Sequence, residues 1–166
     1  MRAGLAGGLA LLLGLSACAR VVTRPAAGEG ESVYLVGALS FEAPSDWRAS
    51  GDERHVRLLA PAEDATIEAT AVARPGDGSE CLANAEASLA RGSSGLRAVQ
   101  RHGSSFAGQK AVAQEADEGA WHGWAWATCS DGTQYRVWFA GRSPLSRELL
   151  AVQRHLLASA RMGAMP

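Results

Sequence analysis

The chain has 166 residues, 16 basic and 17 acidic side chains, a net charge of −1 and 47% hydrophobic residues. That is enough for one domain with its own core, and too evenly charged for a nucleic-acid surface or a polybasic membrane patch. Of the basic residues 15 are Arg and only Lys110 is Lys, a usage we read as GC-rich codon bias and not as arginine recruited for phosphate.

The first element is a leader. Met1-Arg2 supplies one positive charge, and Leu5 to Leu15 is a run of Leu, Ala and Gly closed by Leu15-Ser16-Ala17-Cys18. The run is short for a bilayer span and has the layout of a signal peptide. A leucine three residues before a cysteine is the lipobox spacing. It predicts a diacylglycerol thioether on the Cys18 sulfur and cleavage before that residue. Residues 1–17 are therefore expected to be removed. Two or three acyl chains at about 0.8 kcal/mol per CH2 would hold the rest at a membrane.

Residues 18–32 follow as lipidated terminus and tether, with Pro, Gly and Glu and little apolar periodicity. A flexible chain of that length reaches about 20 Å. From residue 33 to 162 we expect one α+β domain, an antiparallel sheet flanked by two amphipathic helices. Strand signals cover 33–41 up to Pro44, 55–59, and 66–73 ahead of the turn Arg74-Pro75-Gly76. A helix follows, with Ser79 as cap, Gly92 as stop and a stripe of Leu82, Ala85 and Leu89 beside Cys81. Strands resume at 96–102, 110–117, 121–129 and 134–140. A closing helix opens on Ser143 and Pro144 and lines Leu145, Leu149, Val152, Leu156 and Ala160 along one face.

Asp131-Gly132 is the favoured two-residue hairpin turn, because both positions need positive φ. With Ser130 opposite Thr133, Trp124 faces Phe139, Trp126 faces Val137 and Thr128 faces Tyr135 on one side of the sheet. The other side carries Gly123, Ala125, Ala127 and Cys129 with Trp138. Two readings of the aromatic side stand. It is core beneath the last helix, or Trp124, Trp126, Trp138 and Tyr135 form a binding surface, since tryptophan is prominent at hot spots.

Once Cys18 is acylated, Cys81 and Cys129 remain. In an oxidising compartment they read first as a disulfide, with a pair of free thiols as the alternative. A bridge would close a loop of about 50 residues, worth about 4 kcal/mol. It would draw the first helix toward the small-residue side of the sheet.

The segment Phe41-Glu42-Ala43-Pro44-Ser45-Asp46-Trp47 resembles the start of the PsbP-like (DcrB-type) fold family. Gly108-Gln109-Lys110-Ala111 opening a strand, Asp131-Gly132-Thr133-Gln134-Tyr135 at a hairpin, and the terminal amphipathic helix add to the likeness across residues 33–160. The resemblance implies an antiparallel sheet flanked by helices and mostly non-enzymatic work as interaction modules. It supplies no catalytic residues.

No residue pattern points to chemistry. His55, His102, His122 and His155 show no HExxH and no ligand spacing, and His155, between Arg154 and Leu156 within the last helix, reads as a boundary residue. The Ser93-Ser94 and Ser104-Ser105 pairs lack a nucleophile elbow. The pairs Asp52-Glu53, Glu63-Asp64 and Asp117-Glu118 sit where turns are expected. We therefore expect no catalytic residue, metal or cofactor. The expected protein is a lipid-anchored envelope module facing the periplasm, with a protein partner and no nucleic acid. Ala19 in place of Asp after the acylated cysteine favours the outer membrane. Two other classes make their own predictions. A carrier of an apolar ligand needs a cavity lined by Trp124, Trp126 and Phe139. An enzyme needs a polar cleft where histidine and carboxylates converge.

Overall fold

The computed structural model describes residues 21–74, 76–92 and 97–163, with side chains from 90 to 102 and at 118 outside the description. Cys18 and the leader lie outside it, as do the serines at 93 and 94.

Four strands build a small sheet: β1 (Val22–Pro25), β2 (Glu31–Val36), β3 (Leu39–Pro44) and, at the far end of the chain, β11 (Arg161–Met162), in the order β1-β2-β3-β11. Seven build the large one: β4 (Arg48–Gly51), β5 (His55–Leu59), β6 (Ala65–Ala73), β7 (Arg97–Phe106), β8 (Gln109–Glu118), β9 (Trp121–Ser130) and β10 (Thr133–Arg142). Their order is β4-β5-β6-β10-β9-β8-β7. Helix α1 (Gly78–Gly92) connects β6 to β7, and α2 (Arg147–Ser159) precedes β11. The arrangement is antiparallel and α+β, in two sheets where one was expected.

Three departures from the sequence reading have local causes. The stretch 33–41 is not one strand, because Gly37 at φ +58° and Ala38 turn the chain between Val36 and Leu39, which pair directly. Residues 22–25, read as tether, pair as β1 with residues 32–35 of β2. Its side chains are exposed, so backbone pairing places the strand and no hydrophobic pattern announces it. The helix caps shift as well. Asp77 Oδ1 accepts from the backbone N–H of Ser79 and Glu80, replacing Ser79 as the cap of α1. Ser146 Oγ accepts from Leu149 N at 3.2 Å and caps α2, so Pro144 lies ahead of the helix.

The hairpin β9–β10 keeps the expected register, Ser130 opposite Thr133 through Trp121 opposite Arg142. Asp131 and Gly132 adopt φ +48° and +70°, as a two-residue turn of this hand requires. On one face of the large sheet, Val56, Ile67, Trp126, Val137 and Phe139 join Tyr34, Val36, Leu39 and Phe41 of the small sheet in a single buried cluster. Leu156 of α2 and Ala160, its C-cap, belong to it too, with Leu149 and Val152 packed against it. Two contacts show how tightly the sheets meet. The Tyr135 hydroxyl accepts from Ala38 N at 3.3 Å. A Cβ on Gly37 would lie 3.3 Å from Ala71 Cβ.

The opposite face is made of small residues, and α1 lies on it. Ala85 and Leu89 pack on Ala125 and Ala127, with Val112 and Trp138 at the margin. Cys81 is bonded to Cys129 there, with Cα atoms 6.2 Å apart, and fastens the first turn of α1 to β9. The helix stripe is accordingly Cys81, Ala85 and Leu89, four residues apart, and Leu82 is only half-buried.

Candidate functional site

The aromatic side of the sheet is core. Phe139 is fully buried, Trp126 and Tyr135 are 6% and 4% exposed, and Trp124 is half-buried against Phe139 with ring centroids 6.2 Å apart. Trp126 stacks on Phe106 at 6.2 Å. Trp138 points to the opposite face, beside α1, and is also half-buried. Trp138 thus lies on the face that the hairpin register assigns it, apart from the other three, and with Trp126 and Tyr135 closed off the four do not form one binding surface. The reason is the small sheet: its buried Tyr34 and Phe41, stacked 5.8 Å apart, occupy the side where only a helix was foreseen. Trp126 and Phe139 lie in the same buried cluster as these side chains, where a carrier would need open space.

Three histidines meet carboxylates, each on a different element. His55 Nε2 lies 3.3 Å from Glu68 on the exposed side of β5. His122 sets Nε2 3.0 Å from Glu115 and Nδ1 against Asp117, with its ring edge-on to Trp124. His155 differs from both, because a single nitrogen, Nε2, faces two carboxylates: Glu42 Oε2 at 2.8 Å and Glu31 Oε2 at 3.0 Å. The side chain of His102 lies outside the described residues.

The His155 cluster stands where α2 runs along β3, between two shallow clefts. Val33 is paired with Glu42 and Glu31 with Pro44. Residues directly opposite, or two apart along a strand, share a face, so Glu31 and Glu42 are diagonal neighbours on one side of the hairpin. The helix is held above them by Ser159, one turn beyond His155. Ser159 Oγ accepts from Glu42 N at 3.0 Å and donates to Leu156 O. Sequence reasoning missed this cluster for two reasons. Glu31 was assigned to a tether, and Glu42 and His155 are 113 residues apart. The signal that would have found it is Gly37, whose turn folds β3 back beside β2.

Elsewhere the titrations that move are structural. Burial pushes the Tyr34 hydroxyl up from its usual range, helped by the nearby Asp46 charge. Hydrogen bonds from the Arg54 and His55 backbone N–H groups hold Asp52 below the ordinary carboxylate range. Among the described residues no helix is long and apolar enough to cross a membrane.

This architecture is a PsbP-like fold, an antiparallel α+β module with a helix on one sheet face and a terminal helix beside a small second sheet. No protein-family model matches the chain, and no curated protein matches it in sequence. Solved structures do. The solution structure of cyanobacterial PsbP (CyanoP) from Synechocystis sp. PCC 6803 superposes with TM-score 0.60 at 12% identity, over 84% of this chain and 96% of that one. LpqN of Mycobacterium tuberculosis, described as involved in cell envelope biogenesis, gives TM-score 0.56 at 13% identity over 81% and 91%. A crystal structure from Bacteroides thetaiotaomicron gives 0.52 at 13% identity, over 81% of this chain and 48% of the other. At these identities the likeness is one of fold.

Proposed function

We propose that this is a lipid-anchored, non-catalytic binding or scaffold module of the bacterial cell envelope, facing the periplasm. The observation that carries the reading is the Cys81–Cys129 bond, because structural disulfides persist in oxidising compartments. Leu15-Ser16-Ala17-Cys18 supplies the route there and the site of attachment. The likeness in fold to LpqN, a protein involved in cell envelope biogenesis, supports the same compartment. Ala19 after the lipidated cysteine favours the outer membrane. The partner is an envelope protein, met by the outer surfaces of the sheets and not by the buried Trp126 and Tyr135.

The test is Cys18→Ser in the native host. The parent protein should fractionate with membranes and show, by intact mass, loss of residues 1–17 with added acyl mass. The variant should appear in the soluble periplasmic fraction. A variant that stays with membranes, or a parent that keeps Met1, would end the proposal.

A further inference from the structure

We propose that Glu31, Glu42 and His155 form a binding site for a first-row divalent cation, zinc being the best match, that pins helix α2 to the β2–β3 hairpin. The argument begins with proton counting. A neutral or charged imidazole carries at most one hydrogen on Nε2, yet two carboxylate oxygens lie 2.8 and 3.0 Å from that one atom. A single N–H there can serve both oxygens only as one shared, three-centre bond. Among the described residues neither Glu31 nor Glu42 has an ion pair with Arg or Lys. The nearby Arg161 spends its Nη1 on the carbonyls of Ala158 and Ala160. Two carboxylate oxygens and an imidazole nitrogen converging on one point are a donor set that a cation can fill.

Geometry agrees. The three donor atoms lie within 4.8 Å of one another. Zinc bonds of about 2.0–2.2 Å in a tetrahedron set donors about 3.3–3.5 Å apart. The two nitrogen–oxygen spacings, 2.8 and 3.0 Å, reach that value by opening about half an ångström, and the two carboxylate oxygens start no more than 4.8 Å apart, adjustments that rotation of the glutamate chains supplies. His122 makes a useful contrast. Its two carboxylates face opposite ring nitrogens, so the three donors share no common point.

The donor set also selects the metal. One imidazole and two carboxylates suit zinc and its first-row neighbours, whereas calcium requires six to eight oxygens and magnesium keeps most of its water. Two carboxylates neutralise a divalent charge. The three protein donors leave one tetrahedral position open to water or to a carboxylate from a partner. The frame is set in advance, because the Ser159 latch on Glu42 N fixes α2 over the hairpin without any ion.

The experiment is a calorimetric titration of the chelator-stripped, full-length chain in detergent with zinc chloride, paired with cobalt(II) absorption. We expect one zinc per chain at micromolar affinity or tighter, undisturbed by millimolar calcium or magnesium. Cobalt should give the intense visible band of a four-coordinate site. Glu31→Gln, Glu42→Gln and His155→Gln should each weaken binding by roughly tenfold or more, as loss of a ligand must when second-shell losses alone reach that size, and His122→Gln should change nothing. Absence of saturable binding by the parent protein overturns the proposal without reference to any variant. So does binding that survives both Glu42→Gln and His155→Gln. The result is independent of whether Cys18 is acylated.

Discussion

Replacing both Cys81 and Cys129 by alanine isolates what the disulfide does for the fold. The bond joins residues 48 apart. On the chain-entropy relation, a closed loop of that size lowers the unfolded state's entropy by about 14 cal/mol/K, or about 4 kcal/mol at 25 °C. The native side of the ledger changes little. Cys81 is already buried beside Ala85 and Leu89, and alanine leaves the α1 stripe apolar. The loss should therefore come almost wholly from the freed unfolded chain. Equilibrium urea unfolding followed by tryptophan fluorescence measures it. The midpoint should fall by the equivalent of about 4 kcal/mol, and the slope m should rise, because an uncrosslinked chain exposes more surface. A loss below about 1 kcal/mol with unchanged m would refute the argument, since the loop term could not then be the source of the stability.

Other perturbations test the packing. Phe139→Ala, at a site with no exposure, should cost about 3–5 kcal/mol in the same assay, while Trp124→Ala, half-buried at the margin, should cost less. Gly123→Ala sets a Cβ 2.6 Å from the Phe139 carbonyl oxygen. Backbone must move, and we expect about 1–3 kcal/mol of destabilisation. Gly141→Ala instead meets Leu145 Cδ2 at 2.5 Å, the end of a side chain that can rotate away, so its thermal midpoint should drop less. Asp77 is held below the ordinary aspartate range by the Ser79 hydroxyl and by the Glu80 and Ser79 backbone N–H groups. A depressed carboxyl stabilises the fold above its unfolded value and loses that contribution as pH falls through its folded one. The gap in urea midpoint between the parent and Asp77→Asn should therefore be constant near neutrality and shrink only in acid.

Apart from β4, an exposed strand that no pattern announced, the strands of the large sheet were legible because their signals are local. Asp131-Gly132 fixes a turn, and from that turn the pairing of every residue from 121 to 142 follows. Together with the Cys81–Cys129 bond, expected from an oxidising compartment, that register puts α1 on the small-residue face. The small sheet was hidden for the opposite reason. β1 buries none of its side chains, β11 has two residues, and the Gly37-Ala38 turn lies inside what looks like one apolar run. Once that sheet was missed, the last helix was the one cover in view for the aromatic face, and a binding surface stood as the second reading. The His155 cluster went with it, since its three members meet only through β2–β3 pairing and the docking of α2.

Strand β1 also bears on how the protein would stand at a bilayer. It starts at Val22 and is fastened to β2 from that residue onward. An acylated Cys18 would then be separated from the folded body by only four backbone steps, at most about 14 Å. The leash shrinks to a stub. Such a domain has little freedom to wander: it would ride against the lipid headgroups at the β1 edge, turning the remainder of its surface outward in a restricted set of poses.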